Sequence, residues 1–261
     1  MFSLRKPFLK IGVLGIATLV FLGLSACGGS DTKSGDAMSK SGDAMMEKTG
    51  DAMTVKLPNQ LFAAHYVDSY PKHGDVFAQV PDRALIDFNF TLSEISTITV
   101  TRDNVAVQTS PVSLGERKLS MWVTLPATAG DGLYLAKYKA CWPDKSCHDG
   151  QFAFTVDGKT KSSYMDMTGQ KEVRLTMQNV KFNAANIIVS KGTKVTWTNQ
   201  DNLTHFVNTN PHPSHNVLPK LNSLELKLGD TFSYTFDQAG EWGYHCSAHE
   251  PQGMYGRVIV Q

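Results

Sequence analysis

From Leu57 onward the chain consists of short runs in which apolar residues recur at about every second position. Ala84–Phe90, Ile98–Val107 and Leu119–Leu125 follow this rhythm, and Pro-Asp, Gly-Glu and Gly-Asp-Gly separate such runs. Alternation at period two, rich in β-branched and aromatic residues, predicts antiparallel strands of a sandwich rather than βαβ units. A second series repeats the pattern at Val173–Met177, Ile187–Val189, Lys194–Thr198, Leu224–Leu228, Thr231–Phe236 and Gly256–Val260. No long amphipathic helical pattern occurs. The expected fold is therefore all-β, with two β-sandwich domains at residues 57–158 and 173–261 and a polar linker at 159–172.

The first residues have another texture. Arg5, Lys6 and Lys10 precede an apolar run, Ile11–Leu24, that is too short to cross about 30 Å of hydrocarbon at roughly 1.5 Å per residue. Residues 1–26 read as a signal peptide. They end in Leu24-Ser25-Ala26-Cys27-Gly28-Gly29, which resembles a bacterial lipobox. That resemblance implies cleavage before Cys27 and lipidation of its thiol, giving an exported chain anchored to a bacterial membrane and facing the periplasm or the exterior. An ordinary secretory signal is the alternative. Residues 27–56 then repeat Gly-Asp-Ala-Met at 35–38, 42–45 and 50–53. Such a segment has too little apolar surface to fold alone and reads as a flexible linker. Its Met38, Met45, Met46 and Met53 are either repeat accidents or soft ligands for Cu(I).

Removing residues 1–26 leaves 22 basic against 24 acidic side chains, a formal charge of −2 that gives no basis for nucleic-acid binding. The four cysteines have separate contexts. Cys27 is the lipidation candidate and Cys246 stands among histidines. Cys141 and Cys147 flank a short turn, where an oxidising compartment favours a disulfide over two free thiols.

Gly243–Val258 holds Cys246, His249 and Met254 in the spacing Cys-x2-His-x4-Met. A thiolate, an imidazole and a thioether on one tight loop select copper, and a His2Cys set with a weak axial Met is the blue-copper arrangement. His205, 41 residues before Cys246 and just after an Asn-x-Asp turn, supplies the second imidazole. The region resembles the cupredoxins, particularly plastocyanin-like and amicyanin-like proteins. This implies a Greek-key sandwich, one type 1 copper held by His205, Cys246, His249 and Met254, and His249 as the electron exit. The family places an asparagine directly after the first histidine to tie the ligand loops, whereas this chain has Phe206. The tie is expected from other loop groups, such as those at Ser247.

Adjacent strand residues point to opposite faces, so His245 is expected to be structural or solvent-facing while Cys246 faces the metal. His212 and His215, in Asn210-Pro-His-Pro-Ser-His215, read as surface residues or as a secondary metal site.

Residues 60–156 resemble the CopC family of periplasmic copper-resistance proteins. The carrying residues are His65-Tyr-Val-Asp-Ser-Tyr-Pro71, His73-Gly74, Pro81, Ile86–Phe90, Gly132-Leu-Tyr134, Asp144, His148 and Gly150–Val156. The resemblance implies an immunoglobulin-type sandwich and makes His65, Asp144 and His148 candidates for a weak second copper site. The expected function is non-enzymatic: electron transfer at the cell envelope with redox partner proteins. The alternative is a copper carrier or resistance protein working with copper-handling proteins. Paired His-x-His motifs and a second cysteine in the ligand loop, which oxidase or dinuclear centres would use, do not occur.

Overall fold

A computed structural model describes residues 56–261. The signal segment, Cys27 and the linker methionines lie outside the described residues. Among these residues no helix is long and apolar enough to cross a membrane.

The first sandwich contains β1 (Tyr66–Tyr70), β2 (Val76–Phe77), β3 (Arg83–Phe88), β4 (Thr97–Arg102), β5 (Val105–Ala106), β6 (Ser113–Leu114), β7 (Ser120–Thr124), β8 (Gly132–Cys141) and β9 (Cys147–Val156). One sheet has the order β1-β3-β7-β6 and the other β2-β9-β8-β4-β5. Strand β8 shows the alternation most clearly, burying Tyr134, Ala136, Tyr138 and Ala140 while Lys137 and Lys139 stay exposed. Cys141 and Cys147 form a disulfide that closes the β8–β9 hairpin. The run Ile98–Val107, read as one strand, folds back as the β4–β5 hairpin. Asp103 and Asn104, at φ 49° and 67°, make the turn, and these two residue types tolerate left-handed backbone.

The second sandwich contains β10 (Met165–Asp166), β11 (Glu172–Met177), β12 (Asn186–Val189), β13 (Thr193–Asn199), β14 (Asn208–Thr209), β15 (Thr231–Phe236), β16 (Gly240–His245) and β17 (Tyr255–Val260). A five-stranded sheet, β10-β12-β17-β16-β14, faces a three-stranded one, β11-β13-β15. Trp197, Phe236, Trp242 and Tyr244 fill the space between them. The expected strand Leu224–Leu228 does not form. Leu226 makes only an isolated bridge to His205, and Leu224 is 87% exposed.

Residues 159–172 are not a plain linker. A 3₁₀ turn, Gly158–Ser163, is capped by the Asp157 carboxylate accepting from the Lys159 N–H, and β10 then adds to the second sandwich parallel to β12. The ordering follows from Tyr164, whose hydroxyl donates to Glu241 Oε1 at 2.6 Å.

Residues 56–261 lie in one compact unit, and β16 lies at the junction of its two sandwiches. Its residues from Glu241 to His245 are all buried, which a strand with one wet face would not show. Trp242 and Tyr244 face their own core, where Tyr244 packs against Trp197 at 5.3 Å. Glu241, Gly243 and His245 face the other way. Glu241 accepts N–H bonds from Ala78 (2.8 Å) and Gln79 (3.1 Å) of the first sandwich and pairs with Arg257 at 3.3 Å. The Tyr70 hydroxyl donates to the Glu241 carbonyl at 3.0 Å. At Gly243 a Cβ would sit 2.5 Å from Asn210 Nδ2, so the close approach requires glycine. The outer face of β3 is covered by the same contact, because Asp87 accepts from Ser214 and from Asn216 Nδ2.

Replacing Glu241 by Ala removes the acceptor of the Ala78 and Gln79 N–H groups and one of the two carboxylates on Arg257, which keeps Asp75 at 2.9 Å. The expected cost is about 2–4 kcal/mol, at roughly 1–3 kcal/mol for each donor left without its acceptor. Urea unfolding followed by tryptophan fluorescence measures it, and Glu241→Gln, which keeps an acceptor, is expected to lose less.

Candidate metal centre

The first histidine is placed by a strand bridge. The His205 N–H donates to the Leu226 carbonyl at 3.0 Å and the Leu226 N–H returns the bond at 2.9 Å, fixing the backbone of a side chain that is fully buried. The ring is fixed from behind by Asp201, whose Oδ2 lies 2.8 Å from His205 Nε2. Asp201 is itself held by the N–H groups of Asn179 (2.8 Å) and Val180 (3.0 Å). Burial pushes its carboxyl up, but the Val180 and Asn179 donors and the His205 ring outweigh this and hold it below the ordinary range. A carboxylate on one ring nitrogen sets the tautomer that leaves the other as a lone pair. That other atom, His205 Nδ1, points at Cys246 Sγ from 3.6 Å.

The loop after β16 shapes itself through its own backbone. The Cys246 N–H donates to the Met254 carbonyl at 3.0 Å, the His249 N–H to the Cys246 carbonyl at 3.0 Å, and the Met254 N–H to the His249 carbonyl at 3.2 Å. Gly253 turns the chain back with φ 78°. His249 Nδ1 consequently sits 3.3 Å from Cys246 Sγ, and the two imidazole rings are 4.7 Å apart. Sulfur and nitrogen ligands about 2.0–2.3 Å from one ion stand roughly 3.5–3.8 Å from each other. The three donors are near that spacing. His205, Cys246 and His249 thus form a convergent donor group, with Met254 buried on the same loop. The Phe206 N–H donates to Cys246 Sγ at 3.3 Å. Burial pushes the Cys246 thiol up despite the N–H groups of Phe206, Ala248 and His249, so an arriving cation displaces a proton.

The tie between the ligand loops comes from Asn208. Its Nδ2 donates to Ser247 Oγ at 2.8 Å, two residues beyond the position where an asparagine was sought. The first sandwich braces the same loop from outside, because Lys72 Nζ pairs with Glu250 Oε1 at 2.6 Å. Asp201 and Asn208 were not singled out from the sequence. The Asn-x-Asp turn four residues before His205 was the available signal for the first, and nothing local marked the second.

The residues His65, Asp144 and His148 are not brought together as a donor group. Asp144 turns into its own hairpin, where Oδ1 accepts from the N–H (3.0 Å) and hydroxyl (2.7 Å) of Ser146. His65 Nδ1 is engaged by Asn89 Oδ1 at 2.9 Å, and its ring packs on Phe90 and Trp142. His245 also departs from a solvent-facing position, being completely buried. It meets His212 and His215 in a second convergent group. Burial, then the neighbouring histidines, push His245 down to about 3, and burial with His212 pushes His215 down to about 4.

The family model of copper-binding proteins of the plastocyanin/azurin family matches residues 169–261, and the CopC domain model matches residues 66–157. The chain is 33% identical over 87 residues to a chloroplastic plastocyanin of Tetradesmus obliquus, covering 31% of this chain and 58% of that protein. It is 38% identical over 101 residues to a halocyanin of Natronomonas pharaonis, covering 37% and 60%. The chain thus spans about three fifths of the length of these relatives. A plastocyanin of Sambucus nigra is 31% identical over 88 residues, covering 31% of this chain and 89% of that protein. Among solved structures, a methionine-rich copper resistance protein, PcoC, of Escherichia coli matches at 22% identity and a TM-score of 0.33, covering 36% of this chain and all of that one. A purple cupredoxin from Nitrosopumilus maritimus matches at 28% and 0.30, covering 34% and 99%. The chain belongs, through its C-terminal sandwich, to the plastocyanin/azurin family of copper-binding proteins, and a CopC domain precedes that sandwich.

Asp201→Asn is expected to lower metal affinity by about 10–100-fold, the range for losing a carboxylate that orients a ligand histidine. Competition against a chelator measures it, with the circular dichroism spectrum unchanged.

Proposed function

We propose that this member of the plastocyanin/azurin family is a mononuclear type 1 copper protein that carries electrons at the cell envelope. The observation that supports it is the Cys246 thiol flanked by two imidazole nitrogens at 3.3 and 3.6 Å, with Met254 buried on the same loop. His205, Cys246 and His249 would hold copper, with the thioether of Met254 as a weaker donor. When bound, copper supplies a one-electron Cu(II)/Cu(I) couple. The protein residues keep the geometry fixed between the two states. Asp201 and the bridge to Leu226 hold His205, while the Cys246–Met254 backbone bonds hold the loop. Burial of Cys246 and His205 excludes bulk water, and the three cavities described among residues 56–261 are lined by other residues than His205, Cys246, His249 and Met254.

His249 is partly exposed and is the proposed point of electron exit. Leu203 and Leu224, 51% and 87% exposed, lie on the two segments that bracket His205, and offer an apolar surface to a redox partner. Lipidation at Cys27 would keep the chain at a bacterial membrane, facing the periplasm or the exterior. The CopC domain favours a second reading, copper carriage or resistance. Rapid electron exchange without loss of metal supports the first reading; transfer of copper to an acceptor protein supports the second.

Cys246→Ser is expected to abolish the intense thiolate-to-copper absorption even where copper is retained. Met254→Leu is expected to keep the colour and raise the reduction potential, because losing a weak donor destabilises Cu(II). Visible spectroscopy and voltammetry of the purified full chain read both. A full visible band in Cys246→Ser would refute the assignment.

A further inference from the structure

The three histidines on the far face of β16 take no part in the site described above. His212 Nδ1 lies 3.3 Å from His215 Nε2 and 3.3 Å from His245 Nε2. Nitrogens about 2.0–2.1 Å from one tetrahedral or trigonal ion stand roughly 3.3–3.6 Å apart. The rings already have ligand spacing. His212 Nδ1 carries at most one proton and faces two nitrogens, so one hydrogen bond cannot account for both close approaches. His245 Nδ1 lies 2.9 Å from Asn210 Oδ1, an acceptor, which puts the ring proton there and leaves Nε2 as a lone pair directed at His212. A carbonyl acceptor behind the ring is how ligand histidines are oriented.

A second observation concerns Asn208, which stands opposite His245 in the β14–β16 register. Its Oδ1 is buried without a hydrogen-bond partner. Its Nδ2 donates to Ser247 Oγ, which in turn lies 3.0 Å from His215 Nε2. An unpartnered buried acceptor on the strand face that carries three converging ring nitrogens suits a water carried by a bound ion. The loop is also braced from the first sandwich. The His212 N–H donates to Asp68 Oδ2 at 3.1 Å, and Asn216 Nδ2 to Asp87 Oδ1 at 3.1 Å.

We propose that His212, His215 and His245 form a second copper site, with a fourth position open to water or another small ligand. Three neutral imidazoles suit copper or zinc, and the divalent series favours Cu(II) at a nitrogen site. The proposed type 1 site makes copper the metal this chain meets. One peptide bond joins His245 to Cys246, so the two ions would be neighbours across a single strand.

The test uses the full chain, stripped with chelator, reloaded with excess Cu(II), desalted, and assayed for copper content and visible absorption. Two coppers per chain are expected, one of them responsible for the blue band. His245→Ala and, separately, His215→Ala on its half-buried loop should bind one copper with the band unchanged. Cys246→Ser should lose the band and keep the second copper. A wild-type count of one with a full blue band overturns the proposal, as does an unchanged count in both histidine variants. A missing blue band with a histidine-dependent copper would instead refute the type 1 reading, on which the potential readout and the preference for copper over zinc rest. Filling the second site places positive charge beside Cys246 and should raise the blue-copper potential of the wild type relative to His215→Ala. Equal potentials, or preferential uptake of zinc from an equimolar mixture, overturn the assignment.

Discussion

Burial of β16 on both faces is the constraint that the rest of the molecule depends on. A strand gives its odd and even residues to opposite sides, and here neither side is water. Trp242, Tyr244 and Cys246 belong to the core and copper end of the second sandwich, while Glu241, Gly243 and His245 belong to the contact with the first. A one-residue slip would put Glu241 into the aromatic core and remove Cys246 from His205. The register is fixed by six paired positions with β17 and by the two N–H groups that the Glu241 carboxylate accepts. The chemistry therefore depends on an interdomain contact as well as on the ligand loop.

This gives the first sandwich a physical role that does not depend on binding metal itself. Lys72 grips Glu250, the residue after His249, and Asp68 and Asp87 hold the loop that carries His212 and His215. The contacts are polar and largely buried, so they are weak as a source of net stability and strong as a source of specificity. They fix where the loops that carry His249 and the pair His212 and His215 lie. Under the proposed electron-transfer function, loops held this way would keep the donor set little changed between oxidation states.

Much of this was legible in the sequence because the signals were local. Strand alternation at Val173–Met177 and Thr231–Phe236, and the spacing of Cys246, His249 and Met254, depend on neighbours within a few residues. The Ile98–Val107 run misled because apolar residues continue across the turn at Asp103-Asn104. Leu224–Leu228 misled because its alternation faces solvent, with only Leu226 buried. The residues that support the first site were harder to see. Asn208 reaches Ser247 across 39 positions, and Glu241 reaches Ala78 across 163. No window of sequence contains such pairs.

The same argument explains why three histidines were read separately. His245 was assigned a face correctly by its parity with Cys246, but parity cannot say what covers that face. The answer lies in the Asn210–His215 segment, which β14 brings beside β16, and in the first sandwich, which presses that segment inward. A histidine next to a candidate ligand cysteine is unremarkable when its face meets water. When its face is closed, an uncharged ring with a directed lone pair needs a partner, and the fold supplies His212 at 3.3 Å, which in turn meets His215, itself 3.0 Å from the Ser247 hydroxyl. Burial of the strand on both sides thus brings two sets of soft and borderline donors together at the end of β16, one on each face.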